Sequence, residues 1–150
     1  KLKDIAESVL TELKPQILTH NLSIDKNYDS SVPVIFADPK LIRMIFQNLL
    51  GNAVKYVHEN GQITLDILLQ KRNILIEVWN NGTAIPKKVH SKIFTKFFRD
   101  DAAKEKDPEG NGLGLYIVKS IVEGLGGKVW FKSPTEKDGT GVAFYATIPQ

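Results

Sequence analysis

The sequence predicts a two-layer α/β sandwich, with a mixed, mostly antiparallel sheet and helices on one face. Three observations predict it. Apolar residues recur at helical spacing in separate segments, short strand-like runs come in pairs joined by turn-length polar stretches, and the two kinds of segment are interleaved along the chain.

Ile5, Val9, Leu13 and Ile17 are spaced for a first helix over about residues 1–20, kinked by Pro15. Asn21 to Tyr28 and Val34 to Ala37 read as short strands on either side of the turn Asp29-Ser30-Ser31. Asp38 before Pro39 starts a helix, because aspartate caps free amides and proline tolerates the first helical position. That helix is expected to run to about Glu59, with Asn60-Gly61 as its stop. Ile63 to Leu69 and Ile74 to Val78 follow as a hairpin across Gln70-Lys71-Arg72-Asn73. Leu113 to Leu125 is a further helix ended by Gly126-Gly127, and Val129 to Ser133 and Val142 to Ile148 are the closing strands.

Composition sets the limits. At 150 residues and 42% hydrophobic the chain fits one globular domain with a real core. Twenty Lys+Arg against 17 Asp+Glu give +3 without long basic runs, so nucleic acid is not a predicted partner. With no cysteine, disulfides and thiolate metal sites are excluded, and a cytoplasmic setting is compatible. No apolar run reaches the roughly 18 residues of a membrane helix. The charged start Lys1-Leu-Lys-Asp4 is not a signal peptide, and a larger parent anchored in a membrane is compatible with this segment.

On a helical wheel of about 100° per residue, Ile42, Ile45, Phe46, Leu49, Leu50, Ala53 and Val57 collect on one core-facing side. Asn48, Asn52, Lys55 and Glu59 form a polar stripe at the edge of that side. A solvated helix face is the bland explanation. Asparagine is a mediocre helix former, however, and two of them one turn apart on a buried flank favour a ligand role. Gly110, Gly112 and Gly114 open the later helix, where glycines let backbone amides approach an anion closely. Side-chain oxygens beside a lysine suit a metal and a phosphate, and the freed amides suit the remaining oxygens. Together the two stretches read as a nucleotide site. The spacing of a P-loop is missing from Gly124-Leu-Gly-Gly-Lys128, and that of a dinucleotide fold from Gly110 to Leu115.

Gln47-Asn-Leu-Leu-Gly-Asn-Ala-Val-Lys-Tyr56 resembles the N box of sensor histidine kinases, and the other boxes follow in order. Asn80-Asn-Gly-Thr-Ala-Ile85 is similar to a worn first glycine box, Ile93-Phe-Thr-Lys-Phe-Phe-Arg99 to the F box, and Gly110-Asn-Gly-Leu-Gly-Leu115 to an intact second glycine box. Gly126-Gly127, Gly139-Thr-Gly-Val-Ala-Phe144 and Pro149 resemble the closing strands, so the likeness covers residues 1–150.

The resemblance implies the Bergerat ATP-binding fold of the GHKL ATPase/kinase superfamily, with ATP and Mg²⁺ as cofactors. It implies that Asn52 holds Mg²⁺, helped by Asn48, that Lys55 faces phosphate and that Tyr56 faces the adenine plane. Asn48 and Lys55 are the catalytic candidates. Gly82, Ala84 and Ile85 line the base end with Asn80, and Lys96 and Arg99 reach the phosphates from the F box; Phe97 and Phe98 are open to two readings, site residues or core anchors for the lid's base, and Phe94 is read as a core anchor. Gly110, Gly112, Leu113, Gly114 and Leu115 cradle phosphate, beneath a lid over about 98–112. Hydrolysing relatives carry a glutamate at the position of Asn48; without that base this chain is expected to hold ATP for transfer.

Departures gather at the base end. The family usually has aspartate at the position of Asn80, glycine at that of Ala84 and a hydroxyl residue at that of Val142. Exchanging a charge-assisted bond for a neutral one weakens binding by on the order of 1 kcal/mol. ATP binding is therefore expected to be weak and strengthened by Mg²⁺.

His20, His58 and His90 do not match the family's phosphoacceptor pattern, and His58 near the end of the nucleotide helix reads as a dipole partner. The implied acceptor lies on a dimerisation domain of the parent, from which residues 1–20 can continue. The parent is expected to be a homodimer signalling to a response regulator, and the fragment a monomer inactive in autophosphorylation. Two other readings stand beside this one: a degenerate domain used for docking, and a serine kinase of the anti-sigma type.

Overall fold

The computed structural model describes residues 1–99, 101, 104 and 112–150. Gly110, Asn111 and most of the expected lid therefore lie outside the described residues.

The leading segment forms two helices, α1 (Leu2–Glu12) and α2 (Lys14–Thr19). The break falls at Leu13, which puts Pro15 in the first turn of α2, where its missing amide costs no helical bond. β1 (Ser23–Tyr28) follows, then α3 (Pro39–Tyr56), β2 (Gln62–Gln70), β3 (Asn73–Asn80), α4 (Gly114–Gly124), β4 (Val129–Lys132) and β5 (Val142–Pro149). Asp38 caps α3 by accepting from the Lys40 amide at 2.8 Å, and Pro39 takes the first helical position.

Two expectations need correction. Val34 to Ala37 is not a strand. Ile35 and Ala37 pack on the core while Val34 and Phe36 are exposed, so the alternation is real but no ladder forms. The segment crosses past Leu125 and the Ile148–Pro149 end of β5 instead of lying along a sheet edge. Nor does α3 reach Glu59: it ends at Tyr56, because Val57 turns extended at φ −65° and ψ 151° and still buries its side chain. His58 to Gly61 then forms a turn, with the Gly61 amide bonded to the His58 carbonyl at 2.9 Å and Asn60 at φ 59°. His58 thus stands outside the helix. His20 Nδ1 meets Glu59 Oε1 at 2.5 Å and Asn21 Nδ2 donates to Asn60 Oδ1 at 2.9 Å, joining this turn to the end of α2.

The sheet order is β1-β2-β3-β5-β4, with β1 parallel to β2 and the other pairs antiparallel. Such a parallel pair requires a crossover, and α3 supplies it. Gln70 pairs with Asn73, so the β2–β3 loop is Lys71-Arg72, with Lys71 left-handed at φ 56°.

Among the described residues, the helices that bury a face do so against one side of the sheet. Ile63, Leu65, Ile67, Ile74, Ile76, Val78, Phe144 and Ala146 meet Ile42, Ile45, Phe46, Leu49, Leu50, Ala53, Val118 and Val122 in a single cluster. Each large side chain fully buried here contributes about 1.5–3 kcal/mol. α1 adds Leu2, Ala6, Val9 and Leu10 to that core. Polar ties fix α1 in place: Glu7 accepts from Lys26 and from Tyr28, and Glu12 pairs with Arg43 of α3. The Lys26 bond leads in holding the Glu7 carboxyl below its usual range, whereas burial leads in pushing the Tyr28 hydroxyl up.

The opposite sheet face carries no described helix. Asp66 and Glu77 stand directly across from each other there, followed by Tyr145 and Trp130 in the same row. Trp130 stacks on Tyr145 with ring centroids 5.3 Å apart. Burial raises the Asp66 carboxyl; burial, aided by the Asp66 charge and opposed by a Tyr145 hydrogen bond, raises Glu77.

Candidate functional site

The C-terminal half of α3, the last residue of β3, the first residue of β5 and the start of α4 converge at one end of the sheet. α3 and α4 are packed neighbours. Asn48 Nδ2 donates to the Met44 carbonyl at 2.7 Å, which turns its oxygen toward α4. A Cβ added to Gly114 would lie 2.7 Å from Asn48 Oδ1. The asparagine stripe and the glycine run therefore share one place, as the nucleotide reading requires.

Asn52, one turn on, is half-buried, and among the described residues its side-chain amide has no hydrogen-bond partner. Lys55 is exposed in the last turn of α3 and Tyr56 is half-buried beside it. α4 starts after Leu113 without a side-chain cap, so its first amides are not satisfied by a capping side chain. Gly112 has φ 69°, and Leu113 and Leu115 flank Gly114 at partly buried positions. No cluster of three or more His, Cys, Asp or Glu residues able to hold a metal exists among the described residues. A hard cation here would take amide oxygen and phosphate oxygen, a donor set that suits Mg²⁺.

The F-box residues divide by role. Phe94 packs edge-on against Phe131 and Phe144, at 6.0 and 6.2 Å, and is a core anchor. Phe98 packs partly buried against the core, and Arg99 is also half-buried. Lys96 Nζ lies 5.2 Å from the Phe97 ring centre and 5.9 Å from that of Tyr116 on α4. The Phe97 amide donates to the Gly112 carbonyl at 3.0 Å, joining the F box to the second glycine box.

At the end of β3, Asn80 is 4% exposed and pairs across the ladder with Val142. Its Oδ1 accepts from the Gly82 amide at 2.9 Å. Gly82 is closely confined: an added Cβ would stand 2.2 Å from the Tyr56 carbonyl oxygen and 2.7 Å from Asn80 Oδ1. Ala84 and Ile85 continue this turn half-buried.

Ser133 is a residue that sequence reasoning missed. Its Oγ accepts from the Ile85 amide at 2.8 Å and donates to the Gly141 carbonyl at 3.0 Å, while the Gly141 amide donates to the Gly82 carbonyl at 2.8 Å. His90 Nε2 also meets the Ile85 carbonyl at 2.8 Å. The only signal in the sequence was a small hydroxyl residue closing a strand.

A match to the family described as histidine kinase-, DNA gyrase B- and HSP90-like ATPase covers residues 37–150. The chain is similar to the adaptive-response sensory kinase SasA of Gloeothece citriformis, 31% identical over 149 residues; the alignment covers 99% of this chain but 37% of that protein. It thus spans little more than a third of the length of this curated relative. Among solved structures it resembles the catalytic domain of histidine kinase ThkA, with TM-score 0.84, 30% identity and 99% and 93% of the two chains covered. ThkA in complex with the response regulator protein TrrA gives 0.79 at 27% identity, covering 99% and 40%. Full-length ShkA in complex with AMPPNP gives 0.83 at 25% identity, covering 99% and 30%. The contact between helix α3 and the glycine-opened α4 thus has its explanation in descent: this chain belongs to the histidine kinase-, DNA gyrase B- and HSP90-like ATPases, among the histidine kinase catalytic domains.

Proposed function

We propose that this chain holds Mg²⁺-ATP and presents its γ-phosphoryl group to a histidine on a dimerisation domain of a two-component sensor kinase. The approach of Gly114 to Asn48 carries the reading, because it gives the amide oxygens of α3 and the uncapped amides of α4 one cleft to share. Mg²⁺ would supply charge neutralisation to the triphosphate when bound. Asn52, with its unspent amide, is the residue that would ligate it, with Asn48 adjacent and Lys55 facing phosphate. Gly112 and Gly114, on either side of Leu113, would offer backbone N–H groups to phosphate oxygens, with Gly110 beyond the described residues. Asn48 has no basic carboxylate with which to activate water, so the site favours transfer over hydrolysis.

The parent is proposed to be a homodimer that passes phosphate to a response regulator, a partner class supported by the ThkA complex. No helix among the described residues is long and apolar enough to cross a membrane, and a cytoplasmic site of action is part of the proposal.

The test uses γ-labelled ATP at millimolar concentration, with the chain alone and with a dimerisation domain bearing the acceptor histidine. Label is expected on that histidine and not on the isolated chain. Labelling of the isolated chain contradicts the division of labour. Nucleotide binding without any transfer favours the docking-module reading, for which the altered base end is the supporting observation. Asn52→Ala is expected to abolish the increment in affinity that Mg²⁺ confers while leaving metal-free binding unchanged.

A further inference from the structure

Val34 to Ala37 alternates like a strand yet has no strand beside it. Among the described residues, nothing pairs with the main-chain N–H and C=O groups of these four residues. A run of free amides and carbonyls on a segment anchored by its own side chains is what an added strand requires. Ile35 and Ala37 provide the anchors, whereas the Phe36 ring is fully exposed and Val34 is exposed beside it. Between this segment and Leu125, Ile148, Pro149 and Gln150 lies a cavity of about 350 Å³, in the size range of ligand pockets. The charge around it is basic. Gln150 donates to the Arg72 carbonyl through its backbone amide and to the Lys71 carbonyl through Nε2, which holds the β2–β3 loop beside the cavity. Lys128 accepts from the Thr147 amide, one residue before Ile148. The side chains of Lys71, Arg72 and Lys128 are exposed, and among the described residues none of them is in an ion pair. The acids at the two ends of the segment are already engaged: Asp29 accepts from Ser31 and the Leu69 amide, and Asp38 from the Lys40 amide.

We propose that Val34 to Ala37 is a docking strand for an extended acidic peptide. The peptide backbone pairs with the free amides and carbonyls of the segment, one of its apolar side chains enters the cavity beside Phe36, and its carboxylates face Lys71, Arg72 and Lys128. Period-two alternation in such a peptide places apolar and acidic side chains on opposite faces, one toward the cavity and one toward the basic rim. A second copy of this chain is the poorer occupant, because a two-fold pairing of the same segments would set one basic rim against another. The surface is independent of the nucleotide reading. It lies at the Pro149 end of β5, while the Val142 end, roughly 24 Å away at strand rise, is the one that pairs with Asn80.

The experiment is a fluorescence-anisotropy titration of the chain into a labelled synthetic peptide that alternates glutamate with valine around a central phenylalanine. Binding is expected below millimolar concentration, and exchanging every glutamate for lysine is expected to weaken it at least about tenfold. N-methylation of alternate peptide amides removes donors while keeping the side chains, and is expected to abolish binding. Phe36→Ser alters a side chain that faces solvent, so the fold should stand, and a loss of at least about tenfold is expected. Absence of binding at millimolar levels overturns the inference, as does binding that survives any one of these three changes. Sedimentation of the chain alone is expected to show a monomer, and a dimer dispersed by Phe36→Ser overturns the peptide in favour of a second copy. Backbone ¹⁵N–¹H resonances of Ile35, Phe36, Leu125 and Gln150 are expected to move with the peptide, and shifts confined to the Asn48 and Gly114 end of the molecule overturn the placement.

Discussion

Asn48 on α3 and Asn80 at the end of β3 have each committed half of a side-chain amide to a backbone group. At Asn48 the nitrogen is taken by the Met44 carbonyl, so the oxygen remains, turned to Gly114. At Asn80 the oxygen is taken by the Gly82 amide, so the nitrogen remains. The same residue type therefore offers an acceptor beside the start of α4 and a donor at the end of β3. Polarity is assigned by the backbone neighbour, which a residue name alone does not reveal.

Gly82→Ala is the most severe way to break this contrast. Its methyl group would meet the Tyr56 carbonyl at 2.2 Å, a backbone atom that cannot swing away, and a stability loss of about 3 kcal/mol is expected in urea melts. Ser133→Ala comes next, since it strips the Ile85 amide and the Gly141 carbonyl of their partner. About 1–3 kcal/mol should be lost, with nucleotide affinity falling through the base end.

Gly114→Ala sharpens the comparison from the phosphate end. Here the obstructing atom is the tip of the Asn48 side chain, which can rotate, and alanine is the better helix former by about 1 kcal/mol. Thermal stability is expected to change little while titration records weaker Mg²⁺-nucleotide binding.

The smallest effect belongs to the far face of the sheet, a control for both ends. Asp66 and Glu77 have carboxyls raised above 3.8 and 4.5, mainly by burial, so folding is favoured by their protonated forms. That contribution is fully present below the unfolded values and lost as pH rises through the folded ones. Asp66→Asn removes a like-charge pair and is expected to stabilise the fold by about 0.5 kcal/mol at pH 7. The gain should vanish below about pH 4, which denaturation at both pH values checks. Nucleotide affinity should be unchanged.

Much of this was legible in the residues. The apolar face of α3 was visible from spacing alone, since Ile42, Ile45, Phe46, Leu49, Leu50, Ala53 and Val57 are all buried in the core. The β2–β3 hairpin was visible because its turn is polar and its flanks are apolar. Val34 to Ala37 misled because alternation reports which side chains are buried, not whether a neighbouring strand exists to complete the ladder. The overrun of α3 has a related cause: Val57 continues the apolar pattern, and only the backbone at Val57 reveals that it does so from an extended conformation. Motif order brought out Asn48 and Gly114, which the fold places side by side. Ser133 and the orientation of Asn80 stayed hidden because both depend on partners that only folding brings near.

The bond from the Phe97 amide to the Gly112 carbonyl clasps the two ends of the stretch between them. The clasp also leaves no space for a side chain at Gly112, where an added Cβ would stand 2.7 Å from the Phe97 carbonyl carbon and φ is 69°, so glycine is required at the point that ties the F box to the approach of α4.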